Sequence, residues 1–135
     1  AFFKISTNLE RIGDHAVNIC EYTQLLEQKH IGFSQKAKAE IQSMRETSLE
    51  AIRSLGDMSR VDEDALKAIE SFEQKIDDMT LDFRQNQMTR LREGACSDEA
   101  CTLYSEMLTD FERIGDHILN IGQELAPKEA IPLKL

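Results

Sequence analysis

One six-residue stretch occurs twice in the chain, as Glu10-Arg11-Ile12-Gly13-Asp14-His15 and again as Glu112-Arg113-Ile114-Gly115-Asp116-His117. The copies extend on both sides, from Asn8-Leu9 to Ala16-Val17-Asn18-Ile19 and from Asp110-Phe111 to Ile118-Leu119-Asn120-Ile121, with eight of twelve aligned positions identical. Two helices of ordinary amphipathic pattern would not share so much, so the chain contains a duplicated functional segment. Any fold must present that segment twice.

Laid out at about 100° per residue, each copy reads as an amphipathic helix. In the first, Ile5, Leu9, Ile12, Gly13, Ala16, Val17, Ile19 and Cys20 fall in one broad arc predicted to face the core, with Arg11, His15 and Asn18 on the other side. The corresponding arc of the second holds Met107, Phe111, Ile114, Ile118, Ile121 and Leu125. At the margin of each arc stand two acids four residues apart, Glu10 with Asp14 and Glu112 with Asp116, which are neighbours on a helical face. Paired carboxylates at the edge of a core repel one another and lose solvation, and the simplest compensation is a bound cation. Glycine inside a helix costs roughly 1 kcal/mol relative to alanine, so Gly13 and Gly115 point to a close approach by a neighbouring backbone or a ligand. The plainer reading is helix packing at the glycine with the acids paired to arginines. Repetition of the same Glu, Gly and Asp weighs against it.

A chain of 135 residues suits one domain with a core large enough to need no staples. No apolar run approaches the roughly 20 residues that cross a bilayer, which predicts a soluble piece. The start, Ala1-Phe2-Phe3-Lys4, lacks an initiator Met and a signal-peptide layout, and reads as cut from a longer protein. A net charge of -9 argues against a nucleic-acid partner, since phosphate neutralisation needs clustered Lys and Arg. It suits cations or basic partner surfaces instead. Three cysteines without a CxxC favour a reducing compartment, with Cys20 read as a small core residue and Cys96 and Cys101 as incidental.

The pattern predicts four helices. The first runs from near the start to about Gln28 and ends in a turn at Lys29-His30-Ile31-Gly32, where His30 is solvated. Ser34 caps the second, whose inward positions are Ala37, Ile41, Met44, Ala51, Ile52 and Leu55, and Gly56 ends it. After a link at 57–61, Asp62 caps a third helix reaching Glu93 before Gly94, with the stripe Leu66, Ile69, Phe72, Ile76, Met79 and Phe83. That stripe is flanked by a third acidic pair, Glu73 and Asp77, whose plainer reading is a solvated patch. Ser97-Asp98-Glu99 opens the last helix, which stops by Pro127. Short links between long amphipathic helices imply an all-α, up-and-down antiparallel bundle. Adjacent antiparallel helices can then bring Glu73 and Asp77 opposite Glu112 and Asp116.

The doubled Glu-Arg-Ile-Gly-Asp-His-x-x-Asn-Ile segment, with Glu73-x-x-x-Asp77 in the preceding helix, resembles the PhoU family of phosphate-uptake regulators and the PhoU-like domains attached to sodium/phosphate cotransporters. The resemblance covers nearly the whole chain. It implies three-helix repeats in which acidic pairs of the second and third helices surround a metal site holding iron or zinc. Residues 1–30 then correspond to the last helix of a first repeat, 31–126 to a complete second repeat and 127–135 to a tail. Glu73, Asp77, Glu112 and Asp116 match the metal-site positions, and so do Glu10 and Asp14, whose partner pair is absent. A homodimer that completes the first site across its interface is one way to supply it. The implied role is regulation of phosphate uptake through a transporter's membrane domain or a sensor kinase, in the cytoplasm at the inner face of the membrane. Oxygen ligands of this kind also suit magnesium, manganese and calcium.

Two other readings stay open. A ferritin-like di-iron enzyme uses Glu-x-x-His on one helical face, whereas Glu112 and His117 are five apart and diverge by roughly 140°. His15 and His117 therefore read as exposed or hydrogen-bonded side chains rather than ligands. No catalytic triad, Cys/His pair or phosphate-cradling glycine loop is present, which predicts a protein that is not an enzyme. The remaining alternative is a metal-free interaction module in which Arg11 and Arg113 pair with acids of neighbouring helices.

Overall fold

Three polar caps and three left-handed residues divide the chain into its helices. In the computed structural model, which describes residues 2–56 and 61–127, these are α1 (Phe2–Gln28), α2 (Gln35–Ser54), α3 (Glu63–Arg92) and α4 (Asp98–Leu125). The side chains of Ser34, Asp62 and Ser97 accept from the backbone N–H groups of Ala37, Ala65 and Ala100, each satisfying one donor orphaned at a helix start. Acidic first turns on α3 (Glu63, Asp64) and α4 (Asp98, Glu99) complement the helix dipole. Gly94 ends α3 at φ 72° and lets Ala95 N–H reach back to Arg90 C=O at 2.8 Å. At the end of α1 the same closure, Ile31 N–H to Leu26 C=O at 2.9 Å, places His30 rather than Gly32 at φ 54°. Residues 57–60 of the predicted link and 128–135 of the predicted tail lie outside the described residues.

Helix α4 is the centre of the fold. It carries twelve buried residues, whereas α1 carries none. One side of α4 closes a three-helix bundle with α2 and α3, and α1 lies antiparallel along its other side without touching α2 or α3 through the main chain. One apolar layer joins Ala51, Leu55, Val61, Ile69, Ile114, Ile118 and Ile121. The second joins Ala37, Met44, Ile76, Tyr104, Leu108 and Phe111. Glu40 ties all three bundle helices together: it accepts from Arg90 Nη2 and Tyr104 Oη, each at 2.6 Å, and from Asn86 Nδ2 at 2.7 Å. Burial alone would raise its carboxyl, but the hydrogen bonds from Arg90, Tyr104 and Asn86 outweigh that and hold it below the ordinary value.

The arc predicted to bury α1 is only partly used. Ile5, Ile12 and Ile19 pack against the core, while Leu9 and Val17 stay 45% and 55% exposed and Gly13, Ala16 and Cys20 face outward. Cys20 is thus an exposed thiol and not a core residue. His15 and Asn18, expected on the solvent side, turn toward α4 instead. Ile52, predicted inward on α2, is 40% exposed. Helical periodicity states which face is apolar, and only the arrangement of neighbours decides how much of it is covered.

Two glycines on α4 meet α3. A Cβ on Gly115 would lie 3.2 Å from Ile76 Cδ1, and one on Gly122 would lie 2.9 Å from Ile69 Cδ1 and 3.4 Å from its Cγ2. Gly13, the repeat counterpart of Gly115, faces open space. Gly13→Ala is therefore expected to raise stability by about 0.5–1 kcal/mol, the intrinsic helical preference for alanine. Gly122→Ala is expected to lose about 1 kcal/mol net, because crowding against fully buried Ile69 exceeds that preference. Thermal unfolding followed by circular dichroism checks the opposite signs; a shift in the same direction for both would contradict this packing.

Candidate metal centre

Close passage of α4 over Ile76 at Gly115 sets the position of the next residue, Asp116. Carboxylate oxygens of Glu73, Asp77 and Asp116 lie within 4.8 Å of one another, the only such group of metal-ligating side chains among the described residues. Glu73 and Asp77 are four apart on α3 and half-buried, while Asp116 reaches in from α4 at the rim. Burial, then a hydrogen bond and like charge from Asp77, then Asp116, push the Glu73 carboxyl from 4.5 up to about 8. A glutamate in that position holds either a proton or a share of a cation at neutral pH. Three oxygen donors on two rigid helices, with one open side, fit a hard or borderline cation that completes its shell with water.

The other predicted ligands fall differently. Glu112 stands one helical turn before Asp116, outside the converging trio; burial, then the charges of Asp77 and Asp116, raise its carboxyl. It is near enough to feel the cluster without sharing its focus. Glu10 and Asp14 are exposed on α1, and no second acidic pair stands opposite them among the described residues.

The two repeat copies meet each other face to face along the α1–α4 contact, which sequence reasoning missed. His15 Nδ1 lies 2.7 Å from Asp110 Oδ1, and Asn18 Nδ2 donates to the same oxygen at 3.3 Å. With the copies exchanged, His117 Nδ1 lies 2.9 Å from Asn8 Oδ1, to which Asn120 Nδ2 donates at 3.4 Å. The Nδ2 of Asn8 donates to Lys4 C=O at 2.8 Å, so its Oδ1 is an acceptor and His117 carries its proton on Nδ1. The rings of His15 and His117 stack at 5.5 Å and 17° on the pseudo-twofold axis. Burial first, then the charges of His15 and Arg11, hold His117 below its ordinary value. Beside the rings opens a cavity of about 470 Å³ lined by Arg11, Asp14 and His15 and by their counterparts Arg113, Asp116 and His117. The readable signal for this contact was the repeat itself: duplicated polar positions on a face that neither copy needs for its core.

A duplicated helix bearing paired acids, packed into an antiparallel bundle, defines an all-α protein built from helical repeats with an interhelical carboxylate cluster. The chain belongs to the PhoU family, whose PhoU domain profile matches residues 1–23 and 36–125. It is 33% identical over 124 residues to the phosphate-specific transport system accessory protein PhoU homolog 1 of Thermotoga maritima, an alignment covering 90% of this chain and 52% of that protein. The chain thus spans about half the length of the curated relative it matches. No solved structure matches it significantly.

In cation-free protein the folded state retains a proton on Glu73 that the unfolded chain releases above 4.5. A raised folded pKa gives stability that is complete below about pH 4.5 and is lost as pH rises through about 8. Chelator-treated protein should accordingly unfold at progressively lower temperature as pH is raised, and Glu73→Gln, which never ionises, should flatten the slope. Parallel profiles for the two proteins would show that Glu73 is not under this repulsion.

Proposed function

We propose that this chain is a metal-binding regulatory domain that modulates phosphate uptake, and that it is not an enzyme. The observation that carries the reading is the convergence of Glu73, Asp77 and Asp116 in a chain of the PhoU family. The relative's name, that of an accessory protein of a phosphate-specific transport system, supplies the process. Glu73, Asp77 and Asp116 would hold the cation, iron or zinc by family resemblance and magnesium, manganese or calcium by donor chemistry, with Glu112 in reserve at the margin. When bound, the cation supplies neutralisation: it removes the repulsion between α3 and α4 and fixes their separation.

The regulated partner is a transporter's membrane domain or a sensor kinase, reached at the cytoplasmic face, and attachment to a sodium/phosphate cotransporter is one form of that arrangement. No helix among the described residues is long and apolar enough to cross a membrane. The bare stripe on α1 favours a further helical partner. Leu9, Gly13, Val17 and Cys20 correspond in the repeat to Phe111, Gly115, Leu119 and Gly122, three of them buried in the bundle. A second copy of the chain covering that stripe would bring acids up to Glu10 and Asp14 and complete the first site.

Elemental analysis of purified protein tests the metal. The wild type should retain metal through gel filtration, and Glu73→Gln with Asp116→Asn should abolish it. A cation that binds only the folded state at a hundred times its Kd adds about 2.7 kcal/mol to stability, so chelation should lower the unfolding temperature of the wild type alone. In cells, the same double variant should regulate phosphate uptake no better than deletion of the gene. Unchanged metal content, or full regulation by the variant, would leave a metal-free interaction module as the better description.

A further inference from the structure

The cavity on the pseudo-twofold axis has a composition that a cation site would not choose. Arg11 and Arg113 both line it, and neither guanidinium has a carboxylate within ion-pair distance among the described residues. The expected pairing of these arginines with acids of neighbouring helices is therefore not made there. Two guanidiniums offer donors in a fixed fork that matches the oxygens of a phosphoryl or sulfuryl group. Asp14 and Asp116 line the same space and can only accept when ionised. The two imidazoles spend Nδ1 on Asp110 and Asn8, and Nε2 of a neutral ring accepts. Fixed donors beside fixed acceptors discriminate among oxyanions. Sulfate carries no proton at neutral pH and leaves the acceptors unpaired, whereas hydrogen phosphate brings a P–OH that can donate to one of them.

We propose that the cavity between the two repeat copies is a binding site for inorganic phosphate, held by Arg11 and Arg113 and distinguished from sulfate by acceptors among Asp14, Asp116, His15 and His117. The inference deepens the regulatory reading, on which its physiological meaning rests, while the cavity itself requires no metal. Asp116 belongs to both places. A cation shared with Glu73 and Asp77 neutralises its charge, so metal should strengthen phosphate binding, and by linkage phosphate should strengthen metal binding by the same factor. A cavity of about 470 Å³ accommodates the anion together with several waters.

Isothermal calorimetry on the whole chain, treated with chelator and titrated with inorganic phosphate or with sulfate, is the test. The expected result is saturable phosphate binding at least tenfold tighter than sulfate binding. Arg11→Gln and Arg113→Gln should each weaken it by about tenfold, because each removes one of the two guanidiniums that line the cavity. Both arginines are exposed, and unchanged helical circular dichroism confirms that the variants fold. Absence of saturable phosphate binding, equal affinity for sulfate, or indifference to both arginine substitutions would overturn the proposal. Phosphate binding that appears only with added Mg²⁺ and vanishes in Glu73→Gln would also overturn it, by placing the anion on the metal while sparing the metal reading. Arginine-dependent phosphate binding in a protein that takes up no metal would do the reverse.

Discussion

How near α4 can come to α3 governs everything built on this chain. The approach is set where Gly115 and Gly122 run over the side chains of Ile76 and Ile69, since a methyl group at either position would meet an isoleucine at 3.2 or 2.9 Å. Side chains at the rim of that contact inherit the distance. Asp116 follows Gly115 directly, and Asp77 follows Ile76, so apolar packing on the inside determines carboxylate spacing on the outside. Isolated like charges at such range would part if their backbones were free to yield. Here the core on either side, from Ala51 to Ile121 in one layer and from Ala37 to Phe111 in the other, keeps them together. A protonated Glu73 is one way the protein tolerates the arrangement, and a cation is the other.

The second contact of α4 obeys a different logic. Against α2 and α3 the helix buries isoleucines and aromatic rings, but toward α1 it offers a ladder of polar side chains around two stacked imidazoles. Hydrogen bonds of this kind contribute only about 1 kcal/mol each in net stability, but an unsatisfied buried donor or acceptor costs more. They specify register more than they supply strength. Asp110, 5% exposed, is held by His15 and Asn18 of the other copy, so a slide of α1 by one turn would strand it. The polar ladder thus fixes where Arg11 and Arg113 stand relative to each other, just as the glycine contact fixes the acids.

Local signals were legible in the sequence except at the turn after α1, where His30 takes the left-handed conformation. Ser34, Asp62 and Ser97 cap the helices that begin after them, and Gly56 and Gly94 end two with positive φ, because capping involves only a few consecutive residues. Convergence of Glu73, Asp77 and Asp116 followed from antiparallel neighbours with acids at matched margins. Glu112 did not join them, since the spacing of four that pairs it with Asp116 on one helix says nothing of which pair member points across. The orientation of α1 was not legible either. Leu9, Val17 and Cys20 belong to an apolar arc for which the described residues hold no cover, and the polar His15 and Asn18 find partners only on a helix more than ninety positions away. The Glu40, Arg90 and Tyr104 cluster escaped for the same reason: each residue looks like surface until three helices assemble around it.

The two halves of the imidazole contact are not quite equal. Where one ring rests against the amide of Asn8, the other rests against the carboxylate of Asp110. A single substitution between duplicated copies has therefore given an otherwise even-handed cleft a head and a tail. Whatever enters it meets a formal charge behind one wall and a neutral dipole behind the other, and so lodges one way round. Divergence at one position is enough to turn an inherited doubling into a direction.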